Sequence, residues 1–438
     1  MNSTTQAVLQ FVAENDVKFI RLAFCDVFGT LKNISIMPEE LPRAFSSGIS
    51  FDASSIPGFA PVNRSDLFLF PDAATLSVLP WRPQQGRVVR FFCNVRTTEG
   101  EPYSADGRWL LRSAVEQLAQ AGYECRIGAE CEFYLFERDA DGAPTKKPHD
   151  HASYLDVAPL DKGENVRREI CLTLEEMNIK PESSHHEQGP GQNEIDFKYG
   201  AALTAADDVI TFKNVVKTIA ARNGLYASFS PKPIADKSGS GMHVNLSLAK
   251  DGKNIFGKNE DGTDAAVQQA FIAGVLHRAA EICAFTNPVP GSYARFGGFE
   301  APQYIAWSHQ NRSQLVRIPA AASPEYARIE VRTPDVACNP YFAFALILSA
   351  GYEGISKNMT LARETPYDLY TANAGALESL PATLEDALAL AKQSEFVRGV
   401  LGTETARKYL ALKQEEQNRY FAARDKEKYL DETYFTVL

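Results

Sequence analysis

The sequence lacks several features that would assign it to a special class of protein. Its seven cysteines are scattered over 438 residues and none forms a CxxC pair, so neither a disulfide framework nor a cysteine zinc site is expected. No segment approaches the ~20 apolar residues of a membrane span. The stretch Met1–Asp16 has neither the basic start nor the apolar run of a signal peptide. These absences predict a cytoplasmic protein.

The sequence also lacks an excess of positive charge. Lys and Arg number 45 against 55 Asp and Glu, which gives a net charge of −10. We therefore expect neither nucleic acid nor a membrane surface as a partner. Phosphate ligands are not excluded, because a metal ion can supply positive charge. The content of 45% hydrophobic and 23% charged residues is ordinary for a globular chain of two or three domains.

Two regions with different patterns follow each other along the chain. The first hundred residues hold short β-rich runs at Lys18–Phe24, Thr30–Ile36 and Arg87–Val95, with a predicted loop over Phe51–Asp72. After the polar stretch Thr97–Gly107, helices alternate with strands. We therefore predict a small domain over residues 1–103 and a larger one over residues 104–438. The sequence does not show a regular βαβ rhythm, which favours an α+β fold.

Helical spacing of apolar residues marks the predicted helices of the second region. They cover Arg108–Ala121, Val166–Met177, Val209–Ile219, Ala265–Ala284, Pro340–Ile355 and the stretch from Thr383. Thr383, with Asp386 three residues later, is the predicted N-cap of the last stretch.

Four short runs place polar side chains on one face of a strand, because residues i and i+2 of a strand point to the same side. The polar sets are Glu130 with Glu132, Glu194 with Asp196, His243 with Asn245 and Ser247, and Glu330 between Arg328 and Arg332. Any one of these runs is also typical of a strand that faces water. Together they contain Glu, His and Arg but no Lys, which favours a shared site.

A loop of small and rigid residues indicates a metal site. Glu187 and Glu194 bracket Gly189-Pro190-Gly191, which can fold both carboxylates onto one cation. Carboxylates with one imidazole suit Mg²⁺ or Mn²⁺. We interpret the pair His185–His186 as structural.

Arginines concentrate between residues 295 and 332, and guanidinium groups pair bidentately with carboxylate and phosphate. This cluster comprises Arg295, Arg312, Arg317, Arg328 and Arg332. Beside the Glu and His sets, it predicts an anionic substrate and a two-metal enzyme of phosphoryl transfer or hydrolysis.

Ordered motifs run through the whole chain. They are Phe24-Cys25-Asp26-Val27-Phe28-Gly29, Phe51-Asp52-Ala53-Ser54-Ser55-Ile56, Gly128-Ala129-Glu130-Cys131-Glu132-Phe133, His186-Glu187 with Pro190-Gly191-Gln192-Asn193-Glu194, Pro231-Lys232-Pro233, Gly239-Ser240-Gly241-Met242-His243, Asn311-Arg312-Ser313, Arg317-Ile318-Pro319, Arg328-Ile329-Glu330-Val331-Arg332 and Asn339-Pro340-Tyr341. At these motifs the sequence resembles the class I bacterial glutamine synthetases. The resemblance implies a small N-terminal β-grasp domain and a larger catalytic α+β domain, whose antiparallel sheet forms a funnel-shaped site. It also implies stacked rings of identical subunits, commonly a dodecamer, with each site shared between neighbours.

The resemblance further implies a role for individual residues. One Mg²⁺ or Mn²⁺ ion would be held by Glu132, Glu187 and Glu194, and the other by Glu130, His243 and Glu330. Glutamate would be bound by Gly239, Arg295 and Arg332, and ATP by Glu182, Tyr199, Ser247, Arg317 and Arg328. The catalytic set would be Asp26 from a neighbouring subunit, which deprotonates ammonium, with Arg312 at the phosphate and Glu300 closing the site.

The implied reaction is the ATP-dependent ligation of ammonia to the γ-carboxylate of glutamate through γ-glutamyl phosphate. Ser238, where the family usually has Asn, and changes over Gly291–Glu300 leave open a ligase for a larger amine, such as a polyamine. A non-catalytic structural relative is a third alternative, against which the six retained metal ligands argue. Tyr367 is a candidate for the tyrosine that some members adenylylate.

Overall fold

The computed structural model describes residues 3–259, 261–372 and 374–438. The strands are β1 (Val17–Cys25), β2 (Leu31–Ile36), β3 (Ile49–Asp52), β4 (Asp66–Pro71), β5 (Ser77–Val78), β6 (Arg87–Arg96), β7 (Glu124–Arg138), β8 (Pro144–Pro148), β9 (Pro181–His186), β10 (Gln192–Phe197), β11 (Gly200–Ala201), β12 (Leu225–Ser228), β13 (Met242–Lys250), β14 (Lys253–Asn254), β15 (Trp307–His309), β16 (Val316–Ile318) and β17 (Ile329–Val331). The α-helices are α1 (Ser3–Glu14), α2 (Leu41–Ser47), α3 (Gly107–Gln120), α4 (Glu164–Glu176), α5 (Ala202–Arg222), α6 (Ala266–Thr286), α7 (Pro340–Ser356), α8 (Leu384–Gln393), α9 (Glu395–Leu401), α10 (Thr403–Ala422) and α11 (Lys426–Leu430).

The N-terminal region forms a mixed sheet in the order β2-β1-β6-β4-β3, with β1 and β6 parallel. The predicted loop over Phe51–Asp72 is wrong at its start, where Phe51 and Asp52 belong to β3, and in its last part, where β4 pairs with both β3 and β6. Leu67 and Leu69 alternate into the core, as a strand requires. The run has only six residues and ends at Pro71, so the surrounding Ser, Pro and Gly concealed it.

The second sheet is mostly antiparallel and is built around the fifteen-residue strand β7. Its order is β15-β16-β17-β13-β7-β10-β9, and β8, β11 and β12 also pair with β7. On one face, Cys131, Phe133 and Leu135 are fully buried. Helix α5 packs against β7, and the apolar helix α7 packs against α3, α5 and α6. The main core therefore occupies one face of β7, and the alternating residues point to the other side, where Tyr134 and Phe136 form a smaller buried cluster with Phe435.

The predicted helices are present in the second region, and Thr383 caps α8 through a 3.2 Å hydrogen bond from the Asp386 N–H to its hydroxyl. Helix α1 was not predicted. Among the described residues, no helix is both long and apolar enough to cross a bilayer.

Candidate active site

Pairing between strands brings the polar faces of the sequence motifs together. Glu130 lies opposite His243 on β13 and opposite Asp196 on β10. Glu132 lies opposite Glu194. These side chains line a cavity of about 340 Å³, which we call the acidic cavity, rather than a face that is open to solvent.

One candidate metal group lies where β7, β13 and β17 meet. The ligand atoms of Glu130, His243 and Glu330 all lie within 4.8 Å of one another. The Nδ1 atom of His243 is 3.3 Å from Glu130 Oε2 and 3.7 Å from Glu330 Oε1. Two carboxylates with one imidazole form a donor set that fits Mg²⁺ or Mn²⁺.

Two arginines hold the Glu330 carboxylate of this group. Arg317 Nη1 lies 2.6 Å from Glu330 Oε2, and Arg332 Nη1 contacts Oε1. Burial alone would raise the pKa of Glu330, but Arg332, His243 and Arg317 outweigh it and lower this pKa to about 2. Glu330 is therefore negatively charged at neutral pH.

A second candidate group lies at the ends of β9 and β10. The ligand atoms of His185, Glu187 and Glu194 lie within 4.8 Å of one another. The family resemblance implies Glu132, and not His185, as the third ligand beside Glu187 and Glu194. The Glu132 carboxylate lies in the same cavity and accepts hydrogen bonds from the Gly241 N–H, at 2.8 Å, and the Gln192 amide, at 3.2 Å.

The second group is crowded with negative charge. Burial, together with the nearby carboxylates Asp196, Glu132, Glu130 and Glu187, raises the pKa of Glu194 well above its usual range. Burial likewise raises the pKa of Glu132. Carboxylates packed this closely repel one another unless a cation or a proton lies between them, so their chemistry fits a divalent metal.

A second cavity of about 490 Å³, the neighbouring cavity, adjoins the acidic cavity. The two share Glu130, Asp196 and Arg328 in their linings. Of the predicted ATP-binding residues, the neighbouring cavity is lined by Glu182, Tyr199, Ser247 and Arg328. Arg317 instead lines the acidic cavity, where Gly239, Glu300 and Arg312 also lie.

The two arginines that the resemblance assigns to glutamate are buried. Arg295 is 3% exposed and Arg332 is fully buried, and neither lines the acidic cavity. Arg295 packs against Gly239 and donates a 3.2 Å hydrogen bond to the carbonyl of Thr333. Among the described residues, the buried Nε atoms of both arginines have no hydrogen-bond partner.

Glu300 reaches across the acidic cavity from a loop with unusual backbone geometry. Phe299 and Glu300 have φ values of 49° and 63°, a region that side-chain-bearing residues rarely adopt. Glu300 Oε1 accepts a 3.2 Å hydrogen bond from Gln188, and its Oε2 lies 3.5 Å from Arg312 Nη1. The loop is therefore connected to both walls of the cavity.

Asp26 lies away from both cavities of its own chain. It follows β1, and its Oδ1 accepts the N–H groups of Phe28 at 2.9 Å and Thr30 at 3.0 Å. Burial raises the pKa of Asp26, although these bonds and Lys32 oppose the shift. One chain alone does not bring Asp26 to the acidic groups.

Several residues of the acidic cavity were missed by the sequence analysis. Tyr154 and Gln188 were given no role, His185 was interpreted as structural although it lies with Glu187 and Glu194, and Asp196 was noted on the face of β10 but given no role. His185 stands two residues before Glu187, which was a signal that both point the same way. His186, in contrast, is fully buried and fits the structural interpretation of the pair.

The fold and the site define a class of protein: an enzyme with a small mixed N-terminal sheet and a larger α+β catalytic unit that gathers carboxylates, imidazoles and arginines in one cavity. The glutamine synthetase beta-grasp domain family matches residues 16–98, and the glutamine synthetase catalytic domain family matches residues 104–430. The chain belongs to the glutamine synthetase family and is an enzyme of that family.

Known relatives align with nearly the full length of this chain. The chain is 45% identical to the glutamine synthetase of Clostridium saccharobutylicum over 424 residues, which are 95% of this chain and 96% of the relative. It is 44% identical to that of Methanosarcina mazei over 427 residues, which are 96% and 95% of the two chains. Among solved structures, GmaS in complex with ADP superposes with a TM-score of 0.87 at 29% identity, covering 97% of this chain and 98% of that one.

Proposed function

We propose that this enzyme ligates ammonia to the γ-carboxylate of L-glutamate at the expense of ATP, with γ-glutamyl phosphate as the intermediate. The observation that carries the proposal is the contact between two cavities. One is lined by the second candidate metal group and by Glu130 and His243 of the first, and the other by residues that the family resemblance assigns to ATP. A nucleotide in the neighbouring cavity would place its phosphates beside Glu130 and Arg328, which both cavities share.

Two divalent cations fit this site. Glu130, His243 and Glu330 would hold one, and Glu187 and Glu194, with Glu132 or His185, the other. When bound, Mg²⁺ or Mn²⁺ supplies the Lewis-acid charge that phosphate oxygens need in phosphoryl transfer.

Side chains of the protein bind the substrate, neutralise charge and exclude water. We assign glutamate binding to Gly239, which lines the acidic cavity, and to Arg295 and Arg332, which lie buried behind Gly239 and Glu300 and must become accessible to the substrate. Arg312, Arg317 and Arg328 neutralise the negative charge of the transferring phosphoryl group. Phosphorylation is needed because a carboxylate oxygen is a poor leaving group. Glu300 closes the site, which excludes the water that would hydrolyse the acyl phosphate.

The last step needs a base, because ammonium has no lone pair with which to attack. We assign this role to Asp26 of a neighbouring subunit, since Asp26 of the same chain lines neither cavity. The carboxylate takes a proton from ammonium, ammonia attacks the acyl carbon, and glutamine and phosphate leave. This assignment requires an oligomer in which subunits share sites, and we propose a dodecamer of two hexameric rings.

A larger amine is the second candidate acceptor. The likeness to GmaS over 97% of the chain, together with Ser238 and the changed segment before Glu300, favours testing it. In that case glutamate activation is unchanged, and only the nucleophile differs.

The test is ATP-dependent phosphate release with glutamate and Mg²⁺, comparing ammonium, a short alkylamine, putrescine and hydroxylamine. We expect turnover with ammonium, and glutamine as the product by mass spectrometry. Hydroxylamine detects formation of the acyl phosphate, whichever amine is the natural acceptor. Turnover with an organic amine and none with ammonium would overturn the proposal that ammonia is the acceptor. No turnover with any amine would overturn the proposal that the protein is a ligase.

A further inference from the structure

A buried network of charged and amide side chains contacts the turn that separates Glu187 from Glu194. Each member is at most 5% exposed, so solvent does not screen the interactions among them. The members are Asp150, Asp161, Arg167, His186 and Asn193.

Part of this network resembles a third cation site, because ligand atoms of Asp150, Asp161 and His186 lie within 4.8 Å of one another. The carboxylate oxygens are already engaged, however. Asp161 Oδ1 accepts from the Gly163 N–H at 2.8 Å and from Arg167 Nη1 at 3.1 Å, and Asp161 Oδ2 from Arg167 Nη2 at 2.6 Å. The guanidinium supplies the positive charge that a cation would otherwise provide, so the network is a support and not a metal site.

Asp150 holds the other side of the same turn. Its Oδ1 lies 2.8 Å from His186 Nε2 and accepts the Gly191 N–H at 2.9 Å, while its Oδ2 accepts the Lys162 N–H at 3.0 Å. The other ring nitrogen of His186 lies 2.6 Å from the carbonyl oxygen of Glu187. Both ends of the turn are thereby fixed to buried groups.

Arg167 links this turn to helix α4. The same Nη1 that contacts Asp161 donates to Asn193 Oδ1 at 2.7 Å. Asn193 precedes Glu194 and donates its amide N–H to the carbonyl of Gly191 at 2.9 Å. A single guanidinium on a rigid helix therefore restrains the backbone between both carboxylates of the second candidate metal group.

We propose that Arg167 is a positioning residue for the metal site formed by Glu187 and Glu194. It holds Asn193 and the Gly191 turn so that the two carboxylates converge, and it touches neither the cation nor the substrate. The inference rests on the proposed function, because it assumes that these carboxylates bind a divalent ion. Partners that orient metal ligands in this way typically change metal affinity by about 10–100-fold when altered.

The test is Arg167→Lys, which keeps the charge but removes the planar fork that contacts Asp161 and Asn193 together. Mn²⁺ binding to the purified oligomer is measured by electron paramagnetic resonance, and turnover is measured as a function of Mn²⁺ concentration. We expect one class of Mn²⁺ site to weaken by about 10–100-fold, and turnover to recover at high Mn²⁺. Because a metal stabilises any folded protein that binds it, recovery at high Mn²⁺ alone does not separate a positioning role from a structural one, and the Mn²⁺ affinity is the deciding measurement.

Arg108→Lys is the matched control. Arg108 is buried like Arg167 and forms a bidentate pair, donating to Asp207 from Nε at 2.9 Å and Nη2 at 2.8 Å, but it lines neither cavity. We expect it to lower the melting temperature and leave Mn²⁺ binding unchanged. Asn193→Ala, which keeps the Arg167–Asp161 pair, replaces Arg167→Lys if that variant does not fold, and the same weakening is expected.

The outcomes separate the two proposals. Wild-type Mn²⁺ affinity in Arg167→Lys, or in Asn193→Ala, would overturn the positioning role while the proposed function stands. Equal weakening in Arg108→Lys would also overturn it, because any buried charge pair would then have the same effect. A wild-type protein that binds no Mn²⁺ and releases no phosphate would overturn both.

Discussion

At the scale of single residues, Glu330 joins the first candidate metal group to the arginines of the site. It is almost fully buried and is contacted by His243, Arg317 and Arg332. Glu330→Gln keeps the shape and removes the charge that a cation and two arginines require. We expect turnover to fall by about 10²–10³-fold, as it does when one preorganised electrostatic partner is lost.

Steady-state phosphate release checks this expectation. Glu353→Gln is the control, because Glu353 also pairs with an arginine, Arg278, but on helices outside both cavities. An unchanged rate in Glu330→Gln would remove Glu330 from the metal group.

Gly239 shows why the loop before β13 needs a residue without a side chain. A Cβ atom at this position would lie 2.5 Å from both Arg295 Cγ and the carbonyl oxygen of Pro231. Gly239→Ala must therefore displace Arg295, and we expect kcat/KM for glutamate to fall by about 10–100-fold.

Gly291→Ala is the matched control for this prediction, since nothing lies within 4 Å of the position that its Cβ would take. Glutamate titrations of both variants check the difference. Equal kinetics in the two variants would show that the close approach at Gly239 does not position Arg295 for substrate.

At the scale of elements, helices α6 and α7 are joined by a charge pair whose strength depends on pH. Arg278 donates to both oxygens of Glu353, at 2.7 and 2.8 Å. This hydrogen bonding, helped by Lys357, lowers the pKa of Glu353 to about 2. Because the pKa in the folded state lies below the usual value, the stabilisation is complete above pH ~4.5 and is lost as pH falls towards 2.

We expect Glu353→Gln to lower the free energy of unfolding by about 1 kcal/mol at neutral pH, after allowance for screening by solvent. Urea denaturation of wild type and variant between pH 8 and 3 measures the difference. The difference should stay constant down to pH 5 and then shrink. Glu404→Gln, in a pair with Arg407 that is more than half exposed on both sides, should change little. A difference that grows on acidification would contradict the assignment.

At the scale of the whole molecule, the separation of Asp26 from the cavities of its own chain predicts complementation between subunits. Asp26→Asn and Glu330→Gln should each be inactive alone. In randomly mixed oligomers, a site is intact when its own chain supplies Glu330 and its neighbour supplies Asp26. Equal mixing should therefore restore about a quarter of wild-type activity.

Co-expression of the two variants with different affinity tags, followed by tandem purification and phosphate release, measures this recovery. Mixed Glu330→Gln and Glu187→Gln subunits are the control, since both substitutions affect the site of the same chain and every site then stays defective. If mixed oligomers of Asp26→Asn and Glu330→Gln subunits were inactive, the proposal of a site shared between subunits would be contradicted.

The elements that could be predicted from the sequence are those whose pattern lies within a short run of neighbouring residues. Alternation along β7 and β13 put Glu130, Glu132 and His243 on polar faces, and the structure has these strands. Helices with strong apolar spacing, such as α3 and α7, were also predicted. Strand β4 was missed because its signal is short and lies among turn residues, and α1 was not predicted.

Tertiary structure decided which polar faces meet. The order β17-β13-β7-β10-β9 joins segments that are distant in the sequence. Strand register, which local spacing does not specify, placed His243 opposite Glu130 and Glu330 opposite Asn245, two residues from His243. For the same reason, sequence reasoning gave His185 no ligand role and did not find the link from Arg167 to Asn193. The sequence by itself determined which residues carry the chemistry, because side-chain type and period are local properties. Only the packing of distant segments decided which of these residues contact one another and how deeply each is buried. The same packing left Asp26 outside the site of its own chain.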